Sequence, residues 1–131
     1  MGIDVVGESQ LVGYPSQFPD VSMVNWQNGN GNPRYWVLKL LIDNFHRGDK
    51  LVQTNSNVPG VATQAFAGPS SKRILLINKK NTRVEMTLPH ATGAAKISYV
   101  DVTTGENPPG SALVTDGKIV LAPFSVAVVE L

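Results

Sequence analysis

The sequence contains no cysteine and little charge, and both absences restrict what the protein can do. Without a thiol the chain cannot form a disulfide, a thiolate metal site or a cysteine nucleophile. Charged residues make up 16% of the 131 residues, and the net charge at pH 7 is +1. A charge so sparse and balanced creates no field that would attract nucleic acid or an anionic membrane. The hydrophobic fraction of 42% is nevertheless that of a globular chain. We therefore expect a folded protein without a nucleic-acid partner.

Long apolar runs and targeting signals are lacking as well. No segment approaches the roughly 20 apolar residues that a membrane-spanning helix requires. The opening MGIDVVGESQ has no basic stretch followed by an apolar one, so no signal peptide is expected in this chain. The Gly after Met1 suggests N-myristoylation, but Val6 occupies the position that requires Ser or Thr. We expect a soluble protein with no membrane partner, and the sequence leaves its compartment open.

One segment near the front has the pattern of a capped amphipathic helix, which we predict over residues 33–46. Asn32 is a favourable N-cap, Pro33 suits the first helical position, and Gly48 can end the helix in a left-handed conformation. An apolar stripe recurs at helical spacing and consists of Leu38, Leu41, Ile42 and Phe45. Val37 and Leu40 widen this face, so we expect the helix to be covered on more than one side.

After this helix the chain has the pattern of short strands separated by turns. Eight segments are predicted strands: 51–54, 62–67, 73–78, 84–88, 96–102, 112–115, 118–121 and 125–131. The stretches between them, such as NVPG, GPSS and TTGENPPG, are typical turn sequences, and Asp116-Gly117 predicts a two-residue hairpin. Seven or eight strands at this spacing predict a mainly β fold. We expect an antiparallel, immunoglobulin-like β-sandwich with one N-terminal amphipathic α-helix.

Residues 1–32 do not fit a simple sandwich. Ile3–Val6 is an apolar run without alternation, which is typical of a strand buried on both faces in a parallel sheet. No second strand of this kind with a crossover helix follows it. Instead there is a long loop rich in Gly, Pro and Asn, and loops of such length are often functional.

No group of residues has the pattern of a catalytic or metal site. A two-carboxylate glycoside hydrolase needs two acids about 5–10 Å apart. Most of the 10 acidic residues fall at turns, helix ends or outward strand positions, where a solvated charge is the simplest interpretation. Glu8 is the exception, because it follows the buried-type strand. The two histidines are isolated and the glycines form no phosphate-binding motif, so we expect no metal and no cofactor.

Aromatic rings and amide side chains are concentrated in residues 10–36. Flat rings beside amides suit sugars, whose C–H faces stack on rings while their hydroxyls bond to amides. The candidate carbohydrate-binding residues are Tyr14, Trp26, Trp36, Gln17 and Asn25. The alternative interpretation is that the two tryptophans pack in the core, and the sequence leaves both interpretations open.

Four stretches together resemble the C-terminal end of glycoside hydrolases of the family 39 type: VVGESQLVGYPSQFPDVSMVNW, NPRYWVLKLLIDNF, RILLINKKNTRVEMTLP and PFSVAVVEL. Those enzymes join a catalytic (β/α)8 barrel to a β-sandwich. The resemblance spans essentially the whole chain. It implies that residues 1–48 are the remnant of a barrel end, namely its last strand, loop and helix, and that residues 49–131 are the sandwich domain.

The resemblance also implies that this chain alone is not an enzyme. The family's catalytic carboxylates follow the fourth and seventh barrel strands, and no residue here matches either position. Glu8 would follow the eighth strand, where a substrate contact is expected in a full-length parent. We therefore expect a non-catalytic accessory sandwich that binds a polysaccharide or oligosaccharide. The alternative is a structural, self-associating domain with no sugar ligand. The uncovered N-terminal strand and helix predict a homodimer, or a helix folded down onto the sandwich.

Overall fold

The computed structural model describes residues 22–89, 91 and 94–131. Across these residues a single helix precedes eight strands: α1 (Pro33–Asn44), β1 (Lys50–Val52), β2 (Val61–Ala67), β3 (Lys72–Asn78), β4 (Val84–Thr87), β5 (Ala95–Val100), β6 (Gly110–Val114), β7 (Lys118–Leu121) and β8 (Val126–Glu130). Each of the eight strands predicted after the helix has a counterpart, and the mainly β fold is confirmed. The predicted strand Ile3–Val6 lies outside the described residues.

The strands form two antiparallel sheets of unequal size. The larger sheet has the order β1-β2-β3-β8-β5-β6, and the smaller one consists of β4 and β7. The C-terminal strand β8 lies between β3 and β5, so the end of the chain occupies the middle of the larger sheet. The division into six and two strands differs from the four and three strands of the immunoglobulin constant-type sandwich.

Two apolar clusters lie on opposite faces of the larger sheet, and β8 contributes to both. Ala127 and Val129 belong to the cluster between the sheets, together with Val61, Leu76, Val84, Ile97, Val114, Ile119 and Leu121. Val128 points the other way and packs with Leu40 of α1 and Val100 of β5. Because successive side chains of a strand alternate between its faces, β8 is buried on both sides. The layers are therefore the small sheet, the large sheet and α1.

The face through which the helix packs overlaps the predicted apolar face only in part. Leu40 is its buried residue at 3% exposure, and Trp36 and Val37 pack beside it on the sheet. Ile42, which the stripe placed on the buried side, is 69% exposed. The prediction is wrong at Ile42 because apolar residues occur around most of this helix. Their period alone did not identify the side that meets β5 and β8.

The helix also ends earlier than predicted, at Asn44. Phe45 is extended, with φ −125° and ψ 128°, and its N–H donates to the Leu41 carbonyl. The Phe45 ring packs on Phe66 of β2 with ring centroids 4.2 Å apart. This contact stabilises the extended backbone at Phe45, where the helix has ended. Gly48 has φ +99° in the turn before β1 instead of ending the helix. No helix among the described residues has the length and apolarity that crossing a membrane requires.

Asp116-Gly117 forms a tight turn but not the predicted hairpin. Asp116 and Gly117 have φ of 55° and 65°, and Lys118 N–H donates to the Thr115 carbonyl at 3.1 Å. The strands on either side then separate, because β6 pairs with β5 whereas β7 pairs with β4. The turn therefore carries the chain from one sheet to the other. Local turn chemistry was predicted correctly, but burial between the sheets decides which strands pair.

Candidate functional site

A cleft opens where the segment before α1 meets the loop between β5 and β6. It is lined by Val24, Gly29, Asn30, Gly31, Tyr35, Trp36, Glu106, Asn107 and Pro108. Its volume of about 520 Å³ lies within the range of ligand-binding pockets. One wall is the chain just before the helix together with the first helical turn, and the other wall is the loop that ends at β6.

The first wall begins as a small hairpin. Val24 and Gly31 form an isolated antiparallel bridge. Asn25 N–H donates to the Asn30 carbonyl at 2.8 Å, and Asn32 N–H donates to the Met23 carbonyl at the same distance. These bonds hold the backbone of Asn30 and Gly31 against the cleft.

The helix cap fixes the hairpin to α1. The Asn32 Oδ1 accepts a hydrogen bond from Tyr35 N–H at 3.1 Å, which is the N-cap contact expected from the sequence. The Asn32 amide also donates to the Ser22 carbonyl. A single side chain thus orients both the start of the helix and the segment that precedes it.

Two aromatic rings from the first helical turn form the floor of the cleft. The rings of Tyr35 and Trp36 meet edge to face, with centroids 5.0 Å apart and planes at 80°. Gly31 lies directly against Tyr35, and a methyl group at position 31 would overlap the Tyr35 ring. Trp36 also packs in the cluster between α1 and the sheet. The residue therefore belongs to the core and to the cleft at once.

The opposite wall is a compact loop built around Thr104. Thr104 is buried, its Oγ1 accepts from Asp101 N–H at 3.1 Å, and its carbonyl accepts from Asn107 N–H at 2.9 Å. Trp36 Nε1 donates to the Glu106 carbonyl at 3.0 Å and ties this loop to the helix. The Glu106 carboxylate faces Asn30, whose Nδ2 lies 3.4 Å from Glu106 Oε2. The two walls are thus joined across the opening.

The predicted sugar-binding residues are only partly assembled at this cleft. Trp36 lines it, whereas Trp26 lies at the tip of the hairpin with 52% of its surface exposed. Asn25 is in the same turn, and its Oδ1 accepts from Gln27 N–H at 2.9 Å, so its amide shapes the backbone. Three further predicted residues lie outside the described residues: Tyr14, Gln17 and Glu8.

Sequence reasoning missed four polar or aromatic residues of the cleft: Asn30, Tyr35, Glu106 and Asn107. Asn30 and Tyr35 lie within the stretch rich in rings and amides, and the composition of that stretch could have indicated them. Glu106 and Asn107 stood in TTGENPPG, which was interpreted only as a turn. No local pattern could have indicated that Glu106 meets Asn30, because 76 positions separate them along the chain.

The charged pair of α1, Lys39 and Asp43, does not line the cleft. The Asp43 carboxylate accepts from the Lys39 ammonium at 2.7 Å, and this hydrogen bond raises the pKa of Lys39 on the exposed side of the helix. Within the described ranges no cluster of three or more Asp, Glu or His could hold a metal ion. The described lining of the cleft therefore offers rings, amides and one carboxylate.

The fold is similar to parts of larger solved structures. An endoxylanase of glycoside hydrolase family 30 from Clostridium papyrosolvens C71 matches 82% of this chain and 29% of its own, with 18% identity and a TM-score of 0.63. A family 30 subfamily 8 xylanase from Clostridium acetobutylicum matches 84% of this chain and 30% of its own, with 16% identity and a TM-score of 0.66. A conserved exported protein from Bacteroides fragilis matches 73% of this chain and 21% of its own, with 13% identity and a TM-score of 0.59.

These similarities concern the fold alone, and the chain spans less than a third of each of these structures. No family model matches the chain, and no curated protein matches it. The fold is therefore one found within glycoside hydrolases. The two xylanases belong to family 30, so membership of family 39 stays a prediction from the sequence.

Proposed function

We propose that this chain is a non-catalytic, accessory part of a glycoside hydrolase and that it binds carbohydrate in the cleft between Tyr35 and Glu106. In this proposal residues 1–48 correspond to the end of a barrel and residues 49–131 to the sandwich. The partial overlap with two xylanases supports a role as one portion of such an enzyme. The observation that carries the binding role is the cleft itself, in which rings, amides and a carboxylate converge.

The residues that line the cleft can make the stacking and hydrogen-bonding contacts that a sugar requires. Sugar C–H groups stack on aromatic rings, here Tyr35 and the accessible part of Trp36. Sugar hydroxyls both donate and accept, and the amides of Asn30 and Asn107 provide both functions while Glu106 accepts. Because two structural neighbours are described as xylanases, we take xylan and its oligosaccharides as the first ligands to test.

We propose binding without hydrolysis because of the number of acidic residues in the described lining of the cleft. Glu106 is the one carboxylate among the described residues that line the cleft. Hydrolysis by the two-carboxylate mechanism needs a second acid about 5–10 Å away. The cleft can therefore hold a sugar through Glu106 but lacks, in its described lining, the partner that would cleave a glycosidic bond.

Retention on insoluble polysaccharides tests this function. We expect the purified chain to bind xylan in preference to cellulose, chitin and mannan. We expect Tyr35→Ala to weaken that binding about five-fold, because one stacking surface is lost. Phe124→Ala is the matched control, since it removes a ring that is 68% exposed and lies outside the cleft. Circular dichroism checks that both variants are folded.

Two results would count against the proposal. The first is the absence of retention on every polymer. The second is that the Tyr35→Ala variant is retained whereas the Phe124→Ala variant is not. That result would show that the binding site lies on another surface. Trp26→Ala tests the tip of the hairpin independently of the cleft. We expect it to weaken binding less than Tyr35→Ala does, because Trp26 does not line the cleft.

A structural, self-associating domain is the second candidate function. The observation that favours it is the presence of exposed aliphatic side chains on the outer side of α1 and on the edge strand β1. Ile42 is 69% exposed and Leu51 is 70% exposed. Exposed apolar surface of this kind commonly marks association sites, and a homodimer through the helix is the form this candidate takes.

A further inference from the structure

The described residues that line the cleft carry charge of one sign only. Glu106 is the one charged side chain among the described lining residues, and the others are neutral. The ion pairs between described residues lie elsewhere: Lys39–Asp43, Arg73–Glu130 and Arg83–Glu85. Among the residues that the structure describes, no lysine or arginine therefore pairs with the Glu106 carboxylate. Within the described lining, a ligand that enters the cleft therefore meets the negative charge of Glu106 and no positive side chain.

Glu106 is held in position before any ligand arrives. Its carbonyl accepts from Trp36 Nε1 at 3.0 Å, and Trp36 is packed against the sheet. The next residue, Asn107, is fixed through its backbone and its side chain, which donate to the Thr104 carbonyl at 2.9 and 3.0 Å. The turn thus fixes the backbone of Glu106 at the rim of the cleft, and a ligand can reach the exposed carboxylate without rearrangement of that backbone.

The carboxylate also retains capacity to accept hydrogen bonds. A carboxylate has about four acceptor positions. One of them is used by Asn30 Nδ2, at the long distance of 3.4 Å. Two neighbouring hydroxyls of a sugar could each donate to the remaining positions, and hydrogen bonds to a charged acceptor are stronger than those between neutral groups.

From these observations we infer that Glu106 makes the cleft selective for neutral saccharides over saccharides that carry uronic acids. This inference rests on the proposed carbohydrate binding and names the chemical class of its ligand. A neutral sugar donates vicinal hydroxyls to Glu106. A uronate instead brings a second carboxylate near the first, and the described lining places no positive side chain between them. Two like charges about 5 Å apart in a largely aqueous site weaken binding about five-fold.

Calorimetric titration with three xylan-derived probes tests the inference. The first is xylotetraose. The second is a glucuronosyl-branched xylo-oligosaccharide, and the third is the same oligosaccharide after its carboxyl group has been reduced to the alcohol. The last two share a skeleton and differ only in charge. We expect the chain to bind the reduced probe about five-fold more tightly than the acidic one at low salt, and high salt should diminish the difference because it screens exposed charges.

Glu106→Gln should abolish this discrimination, because glutamine keeps the size of the side chain and removes the charge. Glu85→Gln is the control for net charge. It removes the same charge from β4 in the small sheet, where Glu85 is 76% exposed and pairs with Arg83 at 3.7 Å. This control should discriminate between the probes as the unmodified chain does.

The outcomes separate this inference from the function on which it rests. Equal affinity for the acidic and reduced probes, or discrimination that persists in Glu106→Gln, would overturn the inference while leaving carbohydrate binding in place. Failure of all three probes to bind would remove the proposed function, and the selectivity with it. Tighter binding of the acidic probe would show that the charge of Glu106 does not govern the site.

Discussion

A single buried amide, that of Asn78, ties three segments of the sandwich together. Asn78 is 1% exposed at the end of β3. Its Nδ2 donates to the Thr82 and Ala122 carbonyls at 2.9 and 2.8 Å, and its Oδ1 accepts from Lys80 N–H at 3.0 Å. The side chain therefore connects β3, the turn that leads to β4, and the segment that follows β7.

Replacement of Asn78 by alanine should destabilise the fold. Asn78→Ala leaves backbone groups unpaired in a buried environment, and we expect a loss of about 2–4 kcal/mol in the free energy of unfolding. Urea denaturation followed by circular dichroism measures this loss. Asn57→Ala is the matched control at an exposed asparagine, and it should change stability by less than about 0.5 kcal/mol. Similar effects of the two substitutions would contradict the role given to Asn78.

At the scale of the element, the orientation of α1 can be tested with two substitutions two positions apart. Leu40 is 3% exposed and packs on Val100 and Val128, whereas Ile42 is 69% exposed. Leu40→Ala should lower stability by about 2–4 kcal/mol because it leaves a cavity between helix and sheet. Ile42→Ala should change it by less than about 0.5 kcal/mol. Urea denaturation of both variants decides between this face and the predicted stripe, for which Ile42→Ala would be the costly change.

The same contrast explains which features of the elements could be predicted from the sequence. The start of the helix depends on Asn32 and Pro33, whose effects are local, and it was predicted correctly. Strand positions were predicted well because each strand is bounded by its own turn residues. The partners of the strands depend on burial between distant segments. Asp116-Gly117 therefore predicted a turn correctly and a hairpin wrongly.

The cleft was the hardest feature to predict, for a related reason. Rings and amides near α1 indicated that this region could bind a ligand, and Trp36 was identified from them. The second wall comes from the loop before β6, and a loop sequence carries no information about the surface it will face. Glu106 became a candidate only once the fold had brought it to Asn30 and Trp36.

At the scale of the whole molecule, α1 covers one face of the large sheet while its own outer side stays open. The inner side of the helix meets β5 and β8 through Leu40. Ile42 on the outer side is 69% exposed, a large value for a branched aliphatic residue in a structured helix. Exposed apolar residues on a surface element favour association, because burial of their surface releases about 25 cal/mol per Å².

This open side predicts that the purified chain forms a homodimer at high concentration through the outer face of α1. Ile42→Lys replaces the exposed apolar residue of that face with a charge, and we expect it to shift the chain to a monomer, because burying an unpaired charge opposes association. Val120→Lys is the control: Val120 is 47% exposed on β7 of the small sheet, which lies on the other side of the large sheet from α1. Size-exclusion chromatography with light scattering measures the mass of each form. A monomer at every concentration, or a dimer that Val120→Lys disrupts while Ile42→Lys leaves it intact, would show that this face of α1 does not drive association.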